Sequence, residues 1–552
     1  MMRGGICFYA IVLVIFCAQA FAYDWSTNPG DGSPENPYQI SEPNHLMSIG
    51  SNADLLDKHF ILTNDIIFDP NNNPTHVFSK AVIAADASFS GVFDGNGYRI
   101  CNIVIDTHGV GNDCLGLFAY INDKAKIRNL GIENIKISAE PQDSESIGGL
   151  CGGAFDVDID RCYVTGNIIG ATNIGGLIGS VSTLGARVTN CHTVVSLTGS
   201  SYVGGLTGRQ YSGSIRNCYT AVEILTVGGL SSYIGGLCGW TSACSISDSH
   251  TIATISENSG SSAFCLGGLV GKIMHASIHS CYSSVHISVM PYSHSIGGLV
   301  GTNYGAAIVN SSAHCDISGG DGSIGGLCGD TSYENSRIEK CHSSGRISTD
   351  NIAAYFGYIG GLCGNNSEDT NILNCYSLTD VSTDVELSKI GGFCGTSRGM
   401  IKNCYSLGSV IGVGSYIGGF LGSNTNGIVD SCYFLDTSGP DNGYGTPLDD
   451  PNMMIQANFI GWDFVGEDTN GENEIWRMCV DGVDYPRLSW EFSQNGDFAC
   501  GDGVDLADLQ SLAEHWLLVG MADPTEFNYA CDANGDEIIN LEDFSVLSEN
   551  WP

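Results

Sequence analysis

The hydrophobic positions along most of the chain follow a short phrase in which aliphatic residues frame a pair of glycines. Its first full copy is Ile147-Gly148-Gly149-Leu150-Cys151-Gly152. The copies begin at Ile147, Ile174, Val203, Ile234, Leu266, Ile296, Ile324, Ile359, Ile390 and Ile417. A self-similar period of about thirty residues is typical of a solenoid, in which each repeat buries its apolar side against the next repeat.

A second phrase follows each copy of the first at a nearly constant offset and has the form Ile-x-x-Cys-Tyr. Its last position is Tyr or His in nearly every copy. The copies are Ile159 to Tyr163, Val188 to His192, Ile215 to Tyr219, Ile246 to His250, Ile278 to Tyr282, Ile308 to Ser312, Ile338 to His342, Ile372 to Tyr376, Ile401 to Tyr405 and Val429 to Tyr433. Two fixed phrases separated by loops of variable length indicate two constant strands per coil. We therefore expect the terminal Tyr and His residues to stack as one column.

Frequent β-branched residues and recurrent glycine disfavour helices in this array and favour strands. We predict an all-β fold, a parallel β-helix of about ten to eleven repeats over residues 115–436, with coils about 4.8 Å apart. The aliphatic positions of the glycine phrase do not alternate strictly. We therefore expect the strand to bend at Gly-Gly and the last glycine to occupy a corner with positive φ.

The segments on either side of the array lack the repeat and are predicted to close its two ends. Residues 23–114 contain strand-like stretches and the turn sequence Asp94-Gly95-Asn96-Gly97, which favours an entry segment that caps the first coil. Residues 437–492 leave the repeat. Within them, 459–464 and 475–477 are predicted as closing strands of an exit cap.

The first 22 residues have the features of a secretory signal. Arg3 supplies the positive start, 11–16 the apolar core, and Ala20-Phe21-Ala22 a small-x-small cleavage site. An uncleaved membrane anchor is the alternative. The formal net charge of −39 opposes binding to nucleic acid and to anionic membranes. We expect a secreted or cell-surface protein without a further membrane span.

The chain has 23 cysteines, a number that would normally indicate disulfides in an exported protein. The fifth position of the glycine phrase, however, alternates cysteine with aliphatic residues, as in Cys151, Ile178 and Val270. A position that accepts both is a buried site for a small apolar side chain. We expect columns of stacked thiols, and disulfides between neighbouring coils stay open as an alternative.

Residues 493–552 change character and contain an internal duplication. Asp497 matches Asp532, and Trp516 matches Trp551. Each half has a polar loop of about twelve residues followed by apolar positions on one helical face. We therefore predict a small α-helical domain made of two loop-helix units.

The second loop has the oxygen ligands that a calcium ion requires, at positions one, three, five, nine and twelve, with a backbone carbonyl at position seven. The predicted metal ligands are Asp532, Asn534, Asp536, Ile538, Asn540 and Asp543. Glu537 occupies the position where such loops prefer glycine, and the resulting backbone strain is expected to weaken binding. A solvated acidic loop without a metal is the alternative.

The first loop is a poorer match to the same pattern. Its predicted calcium ligands, at positions one, nine and twelve, are Asp497, Asp505 and Asp508. Ala499 and Gly501 stand where side-chain ligands are expected. Asp502 or a Cys500–Cys531 disulfide would compensate for the missing ligands.

Two resemblances follow from these motifs. The C-terminal duplication resembles a type I dockerin, which implies an EF-hand-like calcium module that binds a cohesin-like protein or another envelope scaffold. The array over 115–436 resembles GLUG-repeat proteins of bacterial surfaces, and that resemblance implies export and binding but no catalytic residues.

No zinc-protease motif or phosphate-binding loop is present in the sequence. We therefore predict a non-catalytic adhesion or recognition solenoid. The Tyr/His column is expected to bind polysaccharide if it is exposed, and to serve only in packing if it is buried. A carbohydrate-active enzyme on a β-helix scaffold is the first alternative, and an exposed acidic cluster with a basic residue in one groove would favour it. A structural envelope spacer is the second alternative.

Overall fold

Each of the two sequence phrases spans a corner between two strands. Each regular turn of the solenoid therefore has four strands, and the four sheets that they form are parallel. The structure, a computed structural model, describes residues 23–50, 52–109, 114–139, 145–182, 185–228, 230–258, 262–349, 357–386, 388–466, 471, 473–495, 506–514, 516, 531, 539–540 and 544–546. Within these residues the chain forms a parallel β-solenoid of about twelve turns.

The glycine phrase joins sheet 1 to sheet 2. The strands of sheet 1 are Cys114–Leu115, Ser146–Gly148, Thr172–Gly175, Ser201–Gly204, Leu230–Gly235, Ser262–Gly267, His294–Gly297, Ser323–Gly325, Tyr358–Gly360, Lys389–Gly391 and Tyr416–Gly418. The strands of sheet 2 are Ile83–Phe89, Phe118–Ile121, Cys151–Ala154, Ile178–Val181, Thr207–Gln210, Cys238–Ser242, Val270–Met274, Val300–Tyr304, Cys328–Ser332, Cys363–Asn366, Cys394–Ser397 and Leu421–Asn424.

The Ile-x-x-Cys-Tyr phrase joins sheet 3 to sheet 4. The strands of sheet 3 are Tyr38–Ile40, His59–Leu62, Val92–Asp94, Lys126–Arg128, Val157–Asp160, Ala186–Thr189, Gly213–Arg216, Cys244–Ser247, Ser277–His279, Ala307–Val309, Arg337–Glu339, Asn371–Leu373, Met400–Lys402 and Ile428–Asp430. The strands of sheet 4 are Ile66–Ile67, Val77–Phe78, Arg99–Cys101, Val104–Asp106, Gly131–Ser138, Tyr163–Ile169, His192–Gly199, Tyr219–Thr226, His250–Glu257, Tyr282–Ser288, Ser312–Ser318, His342–Thr349, Tyr376–Thr383, Tyr405–Ser406, Val410–Gly412, Tyr433–Leu435 and Thr446–Leu448.

Equivalent residues of the repeat lie directly above one another, because the parallel ladders keep the phrases in register. Ile147 pairs with Ile174 in sheet 1, and Ile159 pairs with Val188 in sheet 3. The aliphatic residues of both phrases point inward and are almost completely buried. This continuous aliphatic interior is the hydrophobic core that stabilises the solenoid.

Close approach between turns explains the glycine phrase. A Cβ atom on Gly205 would lie 2.1 Å from the carbonyl oxygen of Gly236 in the next turn, and one on Gly208 would lie 2.6 Å from the backbone nitrogen of Ile174. The prediction of positive φ at the last glycine is wrong, because Gly208 and its equivalents have no positive φ. These positions need glycine for space between packed backbones rather than for conformation.

The left-handed corner lies instead in the second phrase, at the residue before the cysteine. Asn190, Asn217 and Asn403 have φ between 50° and 55° there, and asparagine tolerates this region better than most residues. Asn217 also donates a 2.7 Å hydrogen bond to the side-chain oxygen of Asn190. Neighbouring corners are thereby tied together along the rod.

The ladders extend into the predicted entry segment, because Tyr38–Ile40 already pairs in parallel with His59–Leu62. Helix α1, Pro43–Gly50, buries Leu46 and Ile49 and packs against the first strand of sheet 2. The remaining helices are α2 (Asp450–Met453), α3 (Ser489–Asn495) and α4 (Leu506–Glu514), with 3-10 turns at Trp25–Thr27, Ala53–Leu55, Pro74–His76 and Gln456–Asn458. A two-stranded antiparallel ladder joins Trp476–Arg477 to Arg487–Leu488. No helix among the described residues is long and apolar enough to span a membrane.

Candidate ligand-binding face on sheet 4

The first residues of successive sheet 4 strands form one column that runs along the rod, as the second phrase predicts. We name it the aromatic column. Its members pair in direct register: Tyr163, His192, Tyr219, His250, Tyr282, Ser312, His342, Tyr376, Tyr405 and Tyr433. Because Ser312 carries no ring, it separates an open half, Tyr163 to Tyr282, from a covered half, His342 to Tyr433.

The rings of the column stack face to face. The centroids of His192 and Tyr219 are 4.5 Å apart with an interplanar angle of 5°, and those of Tyr376 and Tyr405 are 5.1 Å apart at 8°. The faces of the inner rings are therefore occupied by their neighbours. What the column presents outward is a row of ring edges, phenol hydroxyls and imidazole nitrogens.

The open half is accessible and lies beside an apolar row. Tyr219 is 40% exposed and Tyr282 41%. The next outward-facing positions bring Val194, Ala221 and Ile252 into register, and Ile252 is 61% exposed. Together with polar neighbours, these residues line a shallow groove of about 470 Å³. Exposed apolar side chains aligned over several turns are unusual on a soluble surface and mark an interaction site.

An acidic cluster lies at the start of the open half. Arg99 donates from Nε to Asp65 at 3.1 Å and from Nη1 to Glu133 at 2.9 Å. The Tyr163 hydroxyl donates to Glu133 at 2.8 Å. Burial and the neighbouring Glu133 raise the pKa of Tyr163 to about 12. Asp65, Arg99, Glu133 and Tyr163 lie on consecutive turns. Their hydrogen bonds connect the two carboxylates to Tyr163, the first ring of the column.

The covered half is buried under a segment that lies outside the repeat. The described residues of 449–495, which we name the cover, run back along the side of the solenoid. Trp462 and Trp476 are completely buried and pack against Tyr405 and Tyr433. Tyr405 is only 1% exposed as a result.

The cover also provides hydrogen bonds to the column. Tyr376 donates to both carboxylate oxygens of Glu491, at 2.9 and 2.8 Å, and Tyr405 donates to the carbonyl oxygen of Pro486 at 2.6 Å. Burial and the Glu491 carboxylate raise the pKa of Tyr376 well above its usual value. Trp490 donates to the carbonyl oxygen of Lys340.

The cover ends at the point where the column lacks a ring. The Trp490 ring lies 5.8 Å from the His342 ring at an angle of 23°, and the position before His342 in the column is Ser312. The cover therefore supplies a ring beside His342 where the preceding turn offers none. A cleft of about 710 Å³ remains between the cover and sheet 4, lined by Leu378, Leu407, Val480, Val483 and Tyr485 among others.

One prediction for residues 437–492 needs correction. Thr446–Leu448 extends sheet 4 beyond the last regular turn, and Asn442 donates to the carbonyl oxygens of Ile417 and Leu421 in that turn. Residues 459–464 do not form a strand, although Phe464 makes an isolated bridge to Trp476. The aromatic residues of this segment are used to cover the column.

The cysteine columns contain free thiols. Cys162, Cys191 and Cys218 stack in neighbouring turns and are buried and free, and burial raises the pKa of the equivalent Cys281 thiol to about 12. A thiol that stays protonated is a poor nucleophile. These cysteines are therefore packing residues. Cys531 is buried with its Sγ 3.3 Å from the Ser511 hydroxyl, Cys500 lies outside the described residues, and Cys479 is disulfide-bonded.

Most of the predicted calcium ligands lie outside the described residues: Asp497, Asp505, Asp532, Asn534, Asp536, Ile538 and Asp543. Asp508 lies in the first turn of α4 and is 1% exposed, and Asn540 is half-buried. Among the described residues, no group of three His, Cys, Asp or Glu side chains is arranged to hold a metal.

Comparisons with known proteins agree with the repeat. The family profile for the GLUG motif matches residues 199–224. Over 169 residues the chain is 31% identical to halomucin of Haloquadratum walsbyi, an alignment that covers 30% of this chain and 2% of that protein. Over 146 residues it is 28% identical to a putative Gly-rich membrane protein of Evansella cellulosilytica, covering 24% of this chain and 16% of that protein. The chain spans only a small part of either relative. It is a parallel β-solenoid that carries the GLUG motif.

Proposed function

We propose that this protein is an exported, non-catalytic recognition solenoid that binds an extended polysaccharide along the open half of the aromatic column. The observation that carries the proposal is the continuous exposed face formed by Tyr219, Tyr282 and the apolar row with Ile252. A face that repeats with the turns, about 4.8 Å apart, suits a polymer that lies along the rod.

The contacts of the covered half indicate which chemical groups can pack against the rings and pair with the hydroxyls of the column. There the cover places indole rings against the Tyr rings and a carboxylate and a carbonyl oxygen against the phenol hydroxyls. A sugar ring has the same two features, because it combines an apolar C–H face with hydroxyl groups that pair with polar edges. Ligand contacts in the open half would fall on the ring edges and on the apolar row.

A binding assay with matched isoleucines tests this proposal. We expect Ile252→Ser to weaken retention of the full chain on at least one immobilised neutral polysaccharide, with xylan, arabinan and dextran as probes. Ile411→Ser is the control, because Ile411 is 68% exposed on the same sheet but lies in the turns of the covered half. Equal retention of the two variants on every bound probe would contradict the proposal.

The proposal includes a calcium-dependent tether through residues 493–552. Its support is the duplicated loop-helix pattern, the dockerin-like ligand set of 532–543, and the burial of Asp508 at the start of α4. The partner would be a cohesin-like protein or another envelope scaffold. The names of the two relatives, a mucin and a membrane protein, agree with a place at the cell surface.

The tether is tested by a pull-down with the immobilised full chain from exported and envelope fractions of the host. We expect capture of a discrete partner in calcium and its loss in a chelator. Asp532→Asn should abolish capture, because it removes the first ligand of the better loop. Capture that is unchanged in the chelator and in the Asp532→Asn variant would contradict a calcium-dependent tether.

A polysaccharide-cleaving enzyme is the second candidate, and the cluster of Asp65, Arg99, Glu133 and Tyr163 is the observation in its favour. Glycoside hydrolysis needs one protonated carboxyl group as a general acid. Asp65 and Glu133 both accept hydrogen bonds from Arg99, and Glu133 also accepts one from Tyr163, so the cluster supports binding better than cleavage. Release of reducing ends by the wild-type chain and not by Glu133→Gln would establish this candidate.

A further inference from the structure

Sheet 2 presents a second group of aromatic residues, and this group contains two cations. Arg209, Trp240 and Lys272 occupy the same outward position in three consecutive turns. All three are half-buried. Adjacent strands are about 4.8 Å apart, so the two cations are separated by about 10 Å along the rod, with the indole ring between them.

The two cations contact aromatic rings. The guanidinium carbon of Arg209 lies 5.1 Å from the Trp240 ring centroid and 4.4 Å from that of Tyr211. The ammonium of Lys272 lies 5.8 Å from the ring of Tyr233. In the part of the chain that the structure describes, neither cation has a carboxylate within ion-pairing distance.

Several other basic residues of this acidic chain pair with carboxylates instead. Arg99 and Arg128, for example, pair with carboxylates of neighbouring turns at 2.8 to 3.1 Å. The sequence has 60 acidic residues against 21 basic residues, so a carboxylate partner is easily supplied. Arg209 and Lys272, on either side of Trp240 and without such a partner, form a local site to which an anion can bind.

The neighbouring tyrosines occupy unfavourable backbone positions. Tyr202 and Tyr233, within their sheet 1 strands, have φ of 55° and 64°, and the equivalent residues Asn173 and Ser295 share this conformation. A bulky residue is a rarer occupant of the left-handed region than asparagine. The turns beside Arg209 and Lys272 therefore carry large rings at the position where Asn173 and Ser295 stand in two other turns, and these rings extend the aromatic platform.

We propose that Arg209, Trp240 and Lys272, with Tyr202 and Tyr233 beside them, form a binding site for an acidic polysaccharide whose sugar units carry carboxylates. The aromatic platform contacts the C–H faces of the sugars, and each cation pairs with the carboxylate of a different unit. The separation of the cations suits a polymer with repeated carboxylates better than a single small anion. The site lies on a different sheet from the open half of the aromatic column and stands independently of it.

The test measures binding of the full chain to oligogalacturonate by calorimetry, in a buffer with a chelator so that calcium cannot bridge the two acidic partners. The methyl-esterified oligomer is the matched ligand, because it keeps the sugar backbone and removes the charge. We expect the wild-type chain to bind the acid form at least tenfold more tightly than the ester. We expect Arg209→Gln/Lys272→Gln to remove that preference.

Lys389→Gln is the matched protein control. Lys389 also lies between two tyrosine rings, at 5.3 Å from Tyr358 and 5.9 Å from Tyr416, but on sheet 1 and several turns away. It should leave binding of the acid form unchanged. Lys272→Gln alone, with its fold checked by thermal unfolding, replaces the double variant if that variant does not fold, and a loss of at least threefold is then expected.

Equal binding of the acid and the ester, an unchanged affinity in the Lys272 variant, or an equal loss in Lys389→Gln would overturn the proposal. Ile252→Ser, which tests the sheet 4 face, should leave oligogalacturonate binding at this site unaltered. The two proposals therefore fail by different results.

Discussion

The open and covered halves of the aromatic column have the same chemistry and different environments. His192 and Tyr219 stack at 4.5 Å, and His342 and Tyr376 stack at 4.7 Å, with nearly parallel rings in both pairs. Yet Tyr219 is 40% exposed and Tyr376 only 3%. The parallel ladder fixes the geometry of the rings, whereas a segment outside the repeat decides which of them meet solvent.

This difference shows that a position in the repeat has no fixed role. In the covered half the rings stabilise the attachment of the cover, and in the open half the same rings are available to a ligand. The boundary is Ser312, which carries no ring. The Trp490 ring of the cover lies beside His342, the next member of the column. The three predictions that follow test whether the two halves really differ in this way.

The largest expected effect comes from truncating equivalent tyrosines in the two halves. Tyr405→Ala should lower the free energy of unfolding by about 3–5 kcal/mol, because a fully buried aromatic side chain is replaced by a cavity. Tyr219→Ala should cost only about 1 kcal/mol, because its ring is already partly in water. Urea unfolding of both variants gives the comparison, and equal losses would mean that the cover does not protect the column.

A smaller effect is expected at the carboxylate that fastens the cover. Glu491 is 5% exposed and accepts hydrogen bonds from the Tyr376 hydroxyl and the Leu488 amide. Glu491→Gln should cost about 1.5–3 kcal/mol, because hydrogen bonds to a charged acceptor are replaced by weaker ones.

The open half offers a control for this prediction. Glu223 is exposed on sheet 4, so Glu223→Gln should change stability by less than about 0.5 kcal/mol. A double-mutant cycle of Glu491→Gln with Tyr376→Phe should show coupling, because the two side chains share a hydrogen bond. Additive effects would indicate that this contact does not hold the cover.

The repeat made the solenoid predictable from the sequence. The two phrases specify which residues point inward and which stack, since parallel ladders keep equivalent positions in register, and the register of Tyr163, His192 and Tyr219 follows the phrase directly. The alternation of cysteine with isoleucine and valine likewise predicts buried thiols, and the described cysteines of these columns are free.

The cover was not predictable in the same way. Its residues do not repeat, so no internal pattern indicates which surface they contact, and Trp462 and Trp476 suit a capping strand as well as a side cover. The cation–aromatic group of Arg209 and Lys272 was also missed, because these residues lie at a variable position of the repeat. A comparison of that position across turns would have revealed it, since Arg, Trp and Lys occur there consecutively.

The smallest expected effect is a dependence on alkaline pH that arises in the covered half. Burial raises the pKa of Tyr376 and of Tyr405 well above the usual value of 10.0, with the nearby Glu491 carboxylate adding to the effect. The folded protein therefore keeps these protons at a pH where the unfolded chain releases them. Stability from each group is complete below pH 10 and falls as the pH rises above it, by roughly 1 kcal/mol at pH 10.5. Tyr376→Phe keeps the stacked ring and removes one ionisable group, so its unfolding free energy should fall less steeply between pH 9 and pH 10.5 than that of the wild type.

Tyr405→Phe should behave in the same way, and the double variant should show the sum of the two changes. An alkaline fall as steep in Tyr376→Phe as in the wild type would show that the phenol of Tyr376 is not held protonated by the cover, and the contrast between the two halves would then rest on packing alone.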